Sequence, residues 1–117
     1  MGKISAVFTD LDGTVLRNDK TISERTMEAF QRFQAQGGIW TVASARPERA
    51  ITVYKELADA DAMYFGDDVD DLESIRQIGR GIAMGNAIRE VKDIADFVTA
   101  TNEEDGVAQV LETQTRT

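Results

Sequence analysis

The 117-residue sequence has no cysteine and no histidine, and a single proline. Without cysteine there are no disulfides and no thiolate metal sites, and thiol usage says nothing about the redox compartment. Positive charge is also scarce: 13 basic residues stand against 21 acidic ones, for a net charge of −8. That balance argues against nonspecific nucleic-acid binding and against docking on an anionic membrane, both of which need basic patches. Long apolar runs are absent too. Met1-Gly2-Lys3 is followed by five residues before Thr9 and Asp10 interrupt the apolar stretch, too short for a signal-peptide core or a membrane span. A myristoylation signal fails because Ala6 stands where Ser or Thr is required. The expectation is one soluble, cytoplasmic domain, long enough to bury a real core.

What is present is an apolar run that stops at paired acids. Ala6-Val7-Phe8-Thr9 leads into Asp10-Leu11-Asp12-Gly13-Thr14, and Ala62-Met63-Tyr64-Phe65-Gly66 leads into Asp67-Asp68-Val69-Asp70-Asp71. Two such strands side by side would gather four or five carboxylates at one point. Each close pair repels by roughly 1 to 4 kcal/mol, depending on the local dielectric. Such an arrangement calls for a cation, and an all-carboxylate site suits a hard, oxygen-binding ion such as Mg²⁺.

The chain alternates strands and helices. Strands are expected at Ile4 to Thr9, Ile39 to Ala43, Ala62 to Phe65, Gly81 to Met84 and Phe97 to Thr99. Met27, Phe30 and Phe33 recur at helical spacing after a start at Thr21-Glu24 or Ser23, and Gly37-Gly38 ends the run. Pro47-Glu48 opens a second helix with Ile51, Tyr54 and Leu57 inward. Leu72, Ile75 and Ile78 line a third, which Gly79 stops. Asn86 caps a fourth carrying Ile88, Val91 and Ile94, and Val107, Val110 and Leu111 lie on the last. Thr113 to Thr117 reads as a frayed polar tail. Trp40, Met63 and Met84 read as core.

Alternating elements with continuous apolar strands predict an α/β fold with a parallel five-stranded sheet covered on both faces. Right-handed crossovers give the order 2-1-3-4-5. Its switch point lies between strands 1 and 3, the two that end in acids, and ligands bind at such crevices.

Asp10 and Asp12 would suit a nucleophile and a general acid/base, since strand alternation aims both the same way. The plainer alternative is loop capping through Asx-turns. Asp67 and Asp71 could face one metal, whereas Asp68 and Asp70 read as partners of a helix N-terminus. Neither cluster is an EF-hand, because the central glycine and terminal glutamate are missing. Ser44 could donate to a phosphoryl oxygen or simply form a turn, and Arg46 reads as a solvated loop residue.

The ordered series DLDGT, DKTIS-x-x-T, ASARP, FGDD-x-x-D, GIAMGNA, VKDIADFVT and N-x-x-DGVAQVL resembles the haloacid dehalogenase superfamily of phosphatases, in its Cof-type branch. The resemblance covers residues 4 to 58 and 64 to 111. It implies a Rossmannoid three-layer sandwich and Mg²⁺-dependent hydrolysis of small phosphate esters through an aspartyl-phosphate. Asp10 would be the nucleophile, Asp12 the acid/base and Ser44 the phosphate-binding hydroxyl. Asp67 and Asp71 would hold Mg²⁺ together with Asp10 and the backbone carbonyl of Asp12.

The departures from that family are specific. Leu57 leads within ten residues to Asp67, so the cap domain, the lysine motif and one edge strand are absent between about residues 58 and 62. Neither Lys55 nor Lys92 sits in the lysine motif's context. Ala45 replaces the usual glycine and Asp70 the usual asparagine. The gap reads as an excision, engineered or natural, and implies weakened activity and an apolar sheet edge that would favour self-association. Two other readings compete: a Mg²⁺-binding remnant or minimal scaffold with little turnover, and a receiver-like signalling module. The last would need a lysine after strand 5, where Thr99-Ala100-Thr101 stands.

Overall fold

A computed structural model describes residues 6–42, 62–78 and 80–114. Five parallel strands form one sheet in the order β2-β1-β3-β4-β5. They are β1 (Ala6–Thr9), β2 (Ile39–Val42), β3 (Ala62–Gly66), β4 (Arg80–Ala83) and β5 (Phe97–Val98). The described helices are α1 (Glu24–Ala35), α2 (Leu72–Gln77), α3 (Arg89–Ile94) and α4 (Gly106–Gln114). α1 packs with α4 and on β2, while α2 packs on β3 and β4 and against α3, which itself packs on β4. The expected parallel sheet and its order are therefore present. The helix placed after Pro47, with Ile51, Tyr54 and Leu57, lies outside the described residues, as do residues 115–117 of the expected tail; its first two residues, Thr113 and Gln114, instead close α4.

The core is built from the two central strands. Val7 sits between Trp40 and Met63 in register, and Val7, Phe8, Met63, Tyr64 and Phe65 are all buried. Strands covered on both faces need no polar alternation, which is why they read as continuous apolar runs. The outer strands differ. Ile39 and Val42 of β2 are exposed, as are Phe97 and Val98 of β5, because an edge strand has a neighbour on one side only. Trp40 is half-buried: its ring stacks on Phe30 at 3.9 Å between centroids, and its Nε1 donates to Thr9 Oγ1 at 2.8 Å.

Two local expectations are corrected. α1 is capped by Ser23, whose Oγ accepts the Thr26 N–H at 3.0 Å. Thr21 is instead taken up by Asp19, which accepts both its N–H and its hydroxyl. The buried face of α1 is Thr26, Ala29, Phe30 and Phe33, and Met27 is 45% exposed. Position 27 is one residue off that face, 100° around a 3.6-residue turn. Gly37, at φ +93°, then ends the helix in a left-handed conformation that disfavours other residues.

Candidate functional site

β1 and β3 are neighbours with Thr9 opposite Phe65, so the two chains leave the sheet at the same level. Asp10 follows one strand and Asp67 the other. Two glycines let the loops close on each other. Gly13 has φ +77°, and a Cβ there would overlap Asp67 Oδ2. A Cβ on Gly66 would stand 2.5 Å from Cβ of Asp71.

The result is a cluster in which carboxylate oxygens of Asp10, Asp67 and Asp71 all lie within 4.8 Å of one another. Asp71 is buried and well satisfied. Its Oδ1 accepts the Tyr64 hydroxyl at 2.6 Å, and its Oδ2 accepts the N–H groups of Asp67 at 2.9 Å and Asp68 at 3.2 Å. Burial, reinforced by the Asp71 charge, raises the Tyr64 pKa above its ordinary value, so the phenol stays a donor. Asp10 is different: its Oδ1 is buried with no hydrogen-bond partner, and the neighbouring Thr14 hydroxyl is likewise unpaired.

Burial and then the Asp71 charge push the Asp10 carboxyl up to about 8, with Asp67 adding to the shift. Asp67 is also raised, first by burial, with the charges of Asp71 and Asp68 contributing and the adjacent Asp10 carboxyl working against them. Three crowded carboxylates, one with an unsatisfied buried oxygen, form an all-oxygen donor set. Such a set fits a hard divalent cation.

Not every expected residue joins them. The Asp12 side chain is 72% exposed and pairs with Lys20 Nζ at 3.0 Å, outside the three-acid cluster. Strand alternation does not carry past Thr9, because the Leu11 carbonyl accepts the N–H of Thr14 at 3.3 Å and of Leu16 at 2.9 Å, which turns the chain. Asp68 has the capping role expected of it: its side chain accepts the Val69 N–H at 2.7 Å, in a reciprocal capping box with Asp71. Asp70 is exposed in the same 3-10 turn. Ser44, Ala45, Arg46 and Lys55 lie outside the described residues.

Asn86 does not cap α3, whose N-cap is Ile88 without a side-chain bond. Its amide donates to the Gly13 carbonyl at 2.8 Å, and its Oδ1 accepts the Asn102 N–H at 3.0 Å. Tyr64 was also missed as a site residue. The available signal was a phenol in an otherwise apolar run, since a buried Tyr hydroxyl needs a partner.

A family model described as haloacid dehalogenase-like hydrolase matches residues 7–59 and 49–111, nearly the whole chain. A Haemophilus influenzae protein is 50% identical over 64 residues, which are 55% of this chain and 24% of that protein. The Bacillus subtilis 5-amino-6-(5-phospho-D-ribitylamino)uracil phosphatase YitU is 60% identical over 47 residues, 40% of this chain and 17% of the enzyme. The chain thus matches about a quarter or less of the length of these curated relatives. In fold, it superposes on a haloacid dehalogenase-like hydrolase from Bacteroides thetaiotaomicron with a TM-score of 0.88 at 17% identity, covering 95% of this chain and 99% of that one. The 3-deoxy-D-manno-octulosonate 8-phosphate phosphatase of Moraxella catarrhalis, solved with magnesium, phosphate and its KDO molecule, gives 0.79 at 17% identity over 96% and 86%. With the ordered motifs, the sheet order and the family match in agreement, this chain belongs to the haloacid dehalogenase-like hydrolases.

Proposed function

We propose that the chain is the core of a Mg²⁺-dependent phosphomonoester hydrolase that works through an aspartyl-phosphate on Asp10. One observation carries the reading. Asp10, Asp67 and Asp71 converge where the sheet order reverses, and the buried Oδ1 of Asp10 lacks a partner. Asp10, Asp67, Asp71 and the Asp12 carbonyl would hold the ion. When bound, Mg²⁺ would keep these carboxylates ionised and offset the charge of the phosphoryl oxygens.

In this reading a carboxylate oxygen of Asp10 attacks phosphorus, and the ester P–O bond breaks. The leaving oxygen takes its proton from Asp12, whose carboxylate then accepts a proton from the water that hydrolyses the aspartyl-phosphate. Asp12 can swing into this role at little cost, because an exposed pair such as the one with Lys20 contributes only about 0 to 1 kcal/mol. Ser44 would donate its hydroxyl to the phosphoryl group. The named phosphatase relatives and the magnesium and phosphate in the Moraxella enzyme support this assignment.

We further infer a single core domain without the cap and lysine motif. Support comes from the two matched family segments, which meet at residues 49–59, and from the nine residues that separate Leu57 from Asp67. Loss of one preorganised cationic partner costs roughly 10²- to 10³-fold in rate, by analogy with an oxyanion-hole donor. Loss of the cap removes water exclusion and remote binding energy. The expected activity is slow, Mg²⁺-dependent hydrolysis of small activated phosphates with little selectivity. Phosphate release from a panel of esters, with Asp10→Asn beside the parent, tests it. Turnover that survives in Asp10→Asn overturns the nucleophile assignment, and absence of turnover in the parent favours the scaffold reading.

A further inference from the structure

The loop from Met84 to Ile88 touches both acid-bearing loops at once. On the β3 side, the N–H of Met84 donates to the Gly66 carbonyl and the N–H of Ile88 to the Asp67 carbonyl, each at 3.0 Å. On the β1 side, the Asn86 amide donates to the Gly13 carbonyl at 2.8 Å. Gly13 is the residue whose Cα lies against the Asp67 carboxylate. A third anchor fixes the loop itself. Gly85 N–H donates to the Ala100 carbonyl at 3.0 Å, and a Cβ on Gly85 would stand 2.9 Å from the Thr99 carbonyl oxygen.

Asn86 is exposed, so it makes no contribution to the core. Both ends of its amide are nevertheless engaged, because the Asn102 N–H donates to its oxygen at 3.0 Å. Asn102 in turn donates through Nδ2 to the Leu16 carbonyl and to Asn18 Oδ1, each at 3.0 Å. These bonds brace the Asp10–Asn18 loop at Gly13, Leu16 and Asn18 against the β4–α3 and β5–α4 loops.

We propose that Asn86 is a positioning residue: with the Met84–Ile88 backbone it fixes the separation of Asp10 from Asp67 and Asp71, and so sets the affinity of the acid cluster for a divalent cation. This rests on the reading of those three acids as the metal ligands. Groups that orient metal ligands without touching the metal typically change affinity or activity by roughly 10- to 100-fold when removed.

The test compares Asn86→Ala with the parent by calorimetric titration with Mg²⁺ alone and by amide hydrogen exchange without metal. Asn86→Gln, with the same groups one methylene further out, serves if the alanine variant does not fold. Val110→Ala in α4 is the control for general destabilisation. The expected result is Mg²⁺ binding weakened about 10-fold or more, with faster exchange of the Thr14 and Leu16 amides, neither change appearing in the control. Phosphate release should show a lower kcat with KM unchanged. Parent-like Mg²⁺ affinity in Asn86→Ala, or an equal loss in Val110→Ala, overturns the proposal. If the parent itself binds no Mg²⁺, the reading of the acids as ligands fails. The brace is then judged by exchange alone: faster Thr14 and Leu16 amides sustain it, and unchanged protection ends it.

Discussion

Replacing Gly13 by alanine probes the closeness of the two acid loops most directly, and the protein supplies its own control. Gly13 and Gly37 both have positive φ, at +77° and +93°. A Cβ on Gly37 meets nothing within 4 Å, whereas one on Gly13 overlaps the Asp67 carboxylate. Gly37→Ala should therefore cost only the left-handed backbone penalty, about 1 to 2 kcal/mol. Gly13→Ala carries the same penalty plus the displacement of Asp67, comparable to overpacking at roughly 1 to 3 kcal/mol. The pair should thus differ by about 1 to 3 kcal/mol in urea unfolding, and Gly13→Ala alone should lose the response of its midpoint to Mg²⁺. Equal costs at the two positions would refute the close approach of Gly13 to Asp67. A Gly13→Ala protein that keeps the parent's Mg²⁺ response would refute the link between that approach and the metal site.

Further tests address the charges. Mg²⁺ at a hundredfold excess over its dissociation constant should stabilise the folded chain by about 2.7 kcal/mol, less in Asp67→Asn, as read by Tm; no response in the parent removes the metal site. Without metal, the raised Asp10 and Asp67 favour their protonated forms in the folded state. The Asp10 contribution to stability is fully present below the unfolded value near 3.8 and is lost as pH rises toward about 8, and the raised Asp67 acts in the same direction. Urea midpoints should accordingly fall between pH 5 and 8, and saturating Mg²⁺ should flatten the decline; a metal-free midpoint that rises over this range contradicts the crowding. Tyr64→Phe removes the 2.6 Å donor to buried Asp71 and should cost about 1 to 3 kcal/mol in unfolding free energy. A change below a few tenths would mean that Asp71 finds another partner.

The sequence by itself determined the α/β class, the strand order and the presence of acids at the ends of two central strands. These follow from local patterns: continuous apolar runs for β1 and β3, helical spacing at Phe30 and Phe33, and the handedness of crossovers. Resemblance to a known family added the family itself. Tertiary structure decided which acids share a site. Asp71 is buried and joins Asp10 and Asp67 because Tyr64, seven residues away, and two backbone N–H groups hold it there. Asp12 stays on the surface because the turn at Leu11 ends the alternation that would have aimed it inward. Asn86 reads locally as a helix cap, yet its partners are Gly13, 73 residues earlier, and Asn102, 16 residues later. Ser23 is tied to Asp105, 82 residues away. A hydrogen bond between groups that distant in sequence leaves no periodic trace in either segment. It exists only once the sheet has brought the loops to one edge.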